Sequence, residues 1–196
     1  MKIICYGDSN TYGYDPRSYF GGRYASEERW VDILGELSGW VMINAGENGR
    51  EIPHRSWELD GFVRLVHENS PMDMLLLMLG TNDLLLGNPV DVVAERMERL
   101  LNCIALKFTS VVLIAPPPMK LGEWVTEQCI LRASAELASV YRGLAERQDI
   151  LFADAGEWNA ALGFDGVHLT PEGHRAFAEG MYQYLKKEIE LCWKQE

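Results

Sequence analysis

Four short polar clusters hold the residue types from which chemistry can be built: Gly7-Asp8-Ser9-Asn10, Asn44-Ala45-Gly46, Gly80-Thr81-Asn82-Asp83 and Asp165-Gly166-Val167-His168. A serine hydroxyl is a weak nucleophile until a base within hydrogen-bond reach takes its proton. A neutral imidazole suits that task near neutral pH, and a carboxylate must then fix its tautomer and stabilise the cation that forms. Asp165 and His168 stand three residues apart, so one tight turn can fold the carboxyl back onto Nδ1 of the ring. Charge developing on a carbonyl oxygen also needs aimed donors, each worth roughly 3 to 4 kcal/mol of barrier. The backbone N–H of Ser9, the backbone N–H of Gly46 and the side-chain amide of Asn82 are the candidates. Glycine at 46 would let the backbone approach a substrate closely, and only an amide side chain supplies the N–H₂ group offered by Asn82. The clusters therefore spell acyl transfer, with Ser9 as nucleophile, His168 as base, Asp165 as its partner, and Ser9, Gly46 and Asn82 around an oxyanion.

Competing readings of these residues are weaker. Asp8 lacks an accompanying H-x-H or second carboxylate and reads as a brace for the Ser9 turn rather than a metal ligand. Asp83 reads in the same way as a structural partner of the Asn82 turn. His54, His67 and His174 are the rival bases, and none has an aspartate three residues upstream. The stretch from Gly7 to Gly13 lacks the Lys-Ser/Thr of a P-loop and the G-x-G-x-x-G of a dinucleotide site. No cofactor and no metal are expected.

For these clusters to meet, the intervening chain must place them on one edge. Apolar runs at 3–6, 40–43, 72–79, 111–115 and 150–154 read as strands. Met72 to Leu79 has no polar alternation, as in a strand buried on both faces. Between the strands, helical spacing is predicted over 28–37 with Ser26 as N-cap. It is also predicted over 56–67 with Trp57, Phe62, Val63 and Val66 inward, over about 88–107 opened by Asn88-Pro89, over 123–147, and over about 170–192. Strands alternating with helices in this way predict an α/β fold: a three-layer, doubly wound (flavodoxin-like) sheet of about five parallel strands with helices on both faces. In such sheets ligands bind outside the carboxyl ends of the strands, which is where all four clusters fall.

The 196 residues suit one domain, 1–196, without linker or repeat. With 18 basic and 29 acidic residues the net charge is −11, so nucleic acid and anionic membrane surfaces are poor partners. No apolar run approaches the ~20 residues of a membrane span, and the opening residues lack the basic start, apolar stretch and cleavage site of a signal peptide, so none is expected. Cys5, Cys103, Cys129 and Cys192 are widely spaced and read as small buried hydrophobes in a reducing, cytoplasmic setting.

With these motifs in register, the chain resembles the SGNH (GDSL-like) hydrolase family, whose name lists the residues found at Ser9, Gly46, Asn82 and His168. Gly7-Asp8-Ser9-Asn10-Thr11-Tyr12-Gly13 and Glu28-Arg29-Trp30 look most like its arylesterase and acyltransferase branch. One departure is Asn10, where the nominal signature has leucine. The resemblance implies a cofactor-free serine esterase; the lack of a long apolar lid segment favours a small, short-acyl ester, and an open rim with tyrosines and arginines (Arg17, Arg23) suits an acetylated sugar. Transfer to a non-water acceptor is the near alternative, and a non-catalytic small-ligand or carbohydrate-binding module is the alternative of a different class. Tyr12, Tyr14, Tyr19, Phe20, Tyr24, Trp124, Trp158 and Phe164 are candidates to wall the pocket. Leu84-Leu85-Leu86 fits core, acyl pocket or subunit contact equally, and a homo-oligomer is compatible with the arylesterase likeness.

Overall fold

The computed structural model describes residues 1–18, 20–104 and 110–193, the last two of these by backbone only. Five strands alternate with helices: β1 (Lys2–Gly7), α1 (Ser9–Tyr12), α2 (Trp30–Ser38), β2 (Val41–Gly46), α3 (Ser56–Glu68), β3 (Met74–Met78), α4 (Thr81–Leu85), α5 (Val90–Asn102), β4 (Ser110–Ala115), α6 (Gln128–Gln148), β5 (Leu151–Asp154) and α7 (Pro171–Trp193). The strands form one all-parallel sheet in the order β2-β1-β3-β4-β5. The α/β architecture expected from the alternating apolar runs is the one observed.

Each face of the sheet carries its own apolar layer. On one face Ile4, Leu75, Leu77 and Leu113 pack with Leu59 and Phe62 of α3, Met97 and Leu100 of α5, and Leu137, Tyr141 and Leu144 of α6. On the other, Ile3, Met74, Leu76 and Val112 pack with Trp30 and Leu34 of α2 and with Phe177, Met181 and Leu185 of α7. Successive side chains of β3 thus enter opposite layers, and all five are buried. That is the physical reason for its unbroken apolar run: a strand covered on both sides has no face on which to put a polar residue.

The chain leaves β1 for its neighbour β2 on one side and later returns to pair β3 on the other. This reversal opens a crevice beyond the carboxyl ends of β1 and β3. Gly7 pairs in register with Gly46 of β2 and with Met78 of β3, so the clusters that follow these strands start side by side.

Several local expectations are corrected. Ser26 to Glu28 form a short 3-10 turn and α2 begins at Trp30, with no side-chain cap. On α3, Phe62 is inward but Trp57 and Val63 are exposed, because only a narrow stripe through Leu59 and Phe62 meets the sheet. Pro89 is itself the N-cap of α5, and the side chain of Asn88 donates to the Asp83 carbonyl at 2.9 Å instead of capping. The far end of that predicted helix, 105–107, lies outside the described residues. Helix α6 starts at Gln128, five residues later than expected, because the preceding segment is tied elsewhere by its backbone. Of the cysteines, Cys5 is buried, Cys103 half-buried and Cys129 exposed, all with free thiols, so Cys129 is not the buried hydrophobe expected; the Cys192 side chain lies outside the described ones. Leu84 joins the core while Leu86 is exposed. Among the described residues no helix is long and apolar enough to cross a membrane.

Candidate active site

Ser9 opens α1, directly after β1. Asp8 caps this short helix: its Oδ1 accepts the Asn10 N–H at 2.9 Å, and its backbone carbonyl accepts from Thr11 and Tyr12. At the first helical position the Ser9 amide has no acceptor within the helix and is left as a donor at the positive end of the turn. Asp8 is almost wholly buried, and that burial pushes its carboxyl up to about 6, against the opposing pull of the Asn10 amide, His168 and Arg50.

His168 reaches the same place from the other end of the chain. Its Nε2 lies 3.0 Å from Ser9 Oγ, and its Nδ1 lies 2.6 Å from Asp165 Oδ2. The other carboxylate oxygen, Oδ1, accepts the backbone amides of Val167 and His168 at 2.9 and 3.0 Å, closing the tight turn. Burial pushes the Asp165 carboxyl up, but the ring N–H and these two amides outweigh it and hold the pKa below the ordinary carboxylate value. Asp165 therefore stays charged and accepts, which places the ring proton on Nδ1 and leaves Nε2 free to take a proton from Ser9. Ser9, His168 and Asp165 are 6%, 3% and 0% exposed, so water screens this chain of hydrogen bonds poorly.

The segment 119–127 holds this turn from outside. Lys120, Glu123 and Trp124 donate their amides to the carbonyls of Gly166, Phe164 and Asp165 at 2.9, 3.2 and 3.1 Å. Gly166 sits at φ +81°, and a Cβ there would lie 2.1 Å from the Lys120 carbonyl oxygen, so only glycine lets the two segments of this contact close. The arrangement brings Trp124 against His168, ring centroids 5.0 Å apart and nearly perpendicular, with Tyr14 on the ring at 4.6 Å.

Asn82, in α4 just after β3, and Gly46, the last residue of β2, are in different states. One proton of the Asn82 amide goes to the Arg50 carbonyl at 3.0 Å, which fixes the amide plane and leaves the second proton for a ligand. The Gly46 N–H donates to Asn44 Oδ1 at 3.0 Å, so this donor is engaged within the protein. Glycine at 46 has a reason other than substrate access: a Cβ would lie 2.2 Å from the Tyr12 nitrogen, against the backbone of α1. Asp83 is a structural partner, fully buried, accepting from the Ile52 amide at 2.9 Å and from Arg96 at 2.7 Å.

The remaining candidates lie elsewhere. His174 is buried, its Nδ1 accepting the Trp30 amide at 3.4 Å, and burial holds its pKa down at about 3. His54 contacts the Ile52 carbonyl through Nδ1, and His67 lies in the last turn of α3. Trp158 packs on Phe177 of α7 and Phe20 is almost fully exposed, so neither walls this site; Tyr19 lies outside the described residues. Among the described residues no three His, Cys, Asp or Glu side chains are grouped so as to hold a metal ion. Arg50 escaped the sequence reading, which names Asn44 without giving it a role. Arg50 donates to the carbonyls of both Gly7 and Ala45 while its own carbonyl orients Asn82, and no motif marks it. Asn44, within β2, holds both the Gly46 amide and the Thr11 carbonyl.

The profile of the GDSL-like Lipase/Acylhydrolase family matches residues 5–176. The fold is similar to that of a carbohydrate acetylesterase family member from Sinorhizobium meliloti, at 28% identity and a TM-score of 0.83, over 95% of this chain and 97% of that one. It is also similar to the aryl esterase of M. smegmatis, at 24% identity and a TM-score of 0.81 over 95% and 98% of the two chains. A member of the lipolytic protein G-D-S-L family from Veillonella parvula DSM 2008 follows at 20% identity and 0.74, over 93% and 97%. The last two likenesses are of fold alone. Comparison with curated proteins found no match.

The raised pKa of Asp8 makes stability depend on pH. Its favourable contribution is complete below the ordinary value of 3.8 and is lost as the pH rises through about 6, because the unfolded chain ionises this carboxyl more readily. Asp8→Asn keeps the acceptor for the Asn10 amide and removes the titration. In urea denaturation across pH, the variant is expected to gain on the parent by up to about 3 kcal/mol between pH ~4 and ~7. Parallel stability curves would contradict the assignment.

Proposed function

Because the chain belongs to the GDSL-like lipase/acylhydrolase family and is a carboxylic ester hydrolase, we propose that it is a serine esterase of small, short-acyl esters, working through Ser9, His168 and Asp165. The observation that carries this reading is the continuous run of contacts Asp165–His168–Ser9, at 2.6 and 3.0 Å. His168 Nε2 takes the hydroxyl proton as Ser9 Oγ adds to the ester carbonyl, and Asp165 stabilises the imidazolium that results. The tetrahedral oxyanion is held by the Ser9 N–H and the second proton of Asn82 Nδ2. The Gly46 N–H joins them by exchanging Asn44 Oδ1 for the oxyanion. His168 then returns its proton to the leaving alcohol, and water resolves the acyl-enzyme by the same steps in reverse order.

The proton return also orients the substrate. Nε2 must face the leaving oxygen, so the groups that flank the imidazole meet the alcohol and not the acyl chain. Tyr14 and Trp124 occupy those flanks, and Trp124 is 53% exposed, with ring surface to spare. A ring-shaped alcohol, aromatic or sugar, can cover that surface. The likeness to a carbohydrate acetylesterase family member supports an acetylated sugar as the substrate class.

Ser9→Ala is expected to lose at least about 10³-fold of p-nitrophenyl acetate turnover; parent-like turnover by this variant would refute the reading. Trp124→Ala is expected to lower kcat/KM for p-nitrophenyl acetate relative to ethyl acetate by about 3- to 10-fold, the worth of one aromatic contact. The ratio of acetyl to butyryl esters should stay as it was. A change in acyl-length preference with no change in alcohol preference would place Trp124 on the opposite side of the carbonyl.

A further inference from the structure

Asn10 is the residue at which the nucleophile turn departs from the nominal leucine, and nothing in the chemistry above uses it. Its side chain is 3% exposed and reaches across 157 and 159 residues of chain. Nδ2 donates to the Val167 carbonyl at 3.1 Å, and Oδ1 accepts the Leu169 N–H at 2.8 Å. Val167 and Leu169 are the residues on either side of His168. A carbonyl and an amide two residues apart are what one strand presents to its neighbour, so the carboxamide of Asn10 docks on this segment like one rung of a sheet.

The other end of Asn10 is fixed as firmly. Its N–H is held by Asp8 Oδ1 at 2.9 Å, and its carbonyl accepts the indole N–H of Trp30 at 3.0 Å. Asp165 sets the tautomer and rotation of the imidazole, but it travels on the same turn as His168 and cannot fix the distance to Ser9. Asn10 can, because it is joined to Ser9 by one peptide bond and to both neighbours of His168 by hydrogen bonds. Resting on the Ser9–His168 reading above, we propose that Asn10 is a positioning residue: its carboxamide clamps the backbone around His168 and sets the 3.0 Å approach of Nε2 to Ser9 Oγ. Among side chains of this length only asparagine offers one donor group and one acceptor together. Leucine offers neither and would leave the Val167 carbonyl and the Leu169 amide without these partners in a buried contact.

The test measures kcat and KM for p-nitrophenyl acetate on Asn10→Leu and Asn10→Asp, beside the parent and Ser9→Ala, well below each melting temperature. Misplacing a reacting group by about 1 Å costs on the order of 100-fold in rate. Asn10→Leu is therefore expected to lose kcat by about 10- to 100-fold, with KM changed less than about 3-fold. Asn10→Asp has nearly the same volume and keeps the acceptor for Leu169 but not the donor for Val167. It covers the case in which Asn10→Leu does not fold, and should lose kcat by at least about 5-fold with the same small change in KM. Parent-like kcat in the folded variants, or a loss no larger than the unfolded fraction, would overturn the clamp. The Ser9→Ala control separates the two levels: an active Ser9→Ala removes the esterase reading itself. An inactive Ser9→Ala beside fully active Asn10 variants removes the positioning role alone.

Discussion

One buried contact governs the molecule: the turn that begins α1 meets the turn that precedes α7, bringing Ser9 to His168 across 159 residues of chain. No local propensity draws such distant segments together. The contact exists because both turns are clamped in place, α1 to the end of β1 by the Asp8 cap and the Asp165 turn to segment 119–127 by backbone hydrogen bonds. The sheet then sets the separation. The two apolar layers hold β1 between β2 and β3, where its carboxyl end opens onto the crevice between diverging crossovers.

Around this contact lies a frame of buried and half-buried polar groups that hydrogen-bond to one another. Arg50 ties the ends of β1 and β2 and holds Asn82 by its carbonyl. Asp83, one residue further on, is anchored by Ile52 and Arg96, and Arg96 in turn reaches Glu51 and Asn88. Burial leaves a cost in this frame, seen in the raised carboxyl pKa of both Asp8 and Asp83. For the proposed esterase such costs are tolerable, because groups already oriented do not have to reorganise during reaction.

Much of this was legible from the residues, for reasons that differ. The strands declare themselves because a parallel sheet covered on both faces forces runs such as Met74–Met78 to be wholly apolar. The clusters after β1, β2 and β3 declare themselves because this architecture puts ligands at strand ends. What stayed hidden depends on tertiary partners. Asn10 is an ordinary turn residue until the backbone at 167 and 169 arrives beside it. Gly46 suggests access for a substrate, whereas its missing Cβ makes room for α1. Glu123 to Glu127 carry helical spacing yet are held out of α6, as hydrogen bonds to the Asp165 turn compete with the helix. Trp57 and Val63 keep the helical period of α3 but fall outside its narrow buried stripe.

The most direct measurement is the site and rate of modification by a small fluorophosphonate, read by peptide mass spectrometry on the parent and on His168→Ala. The account expects a single adduct on Ser9 in the parent, with the rate lowered by at least about 100-fold when the imidazole is removed. An adduct on another residue, or equal labelling of Ser9 in both proteins, would contradict the coupling of hydroxyl and ring on which the account rests.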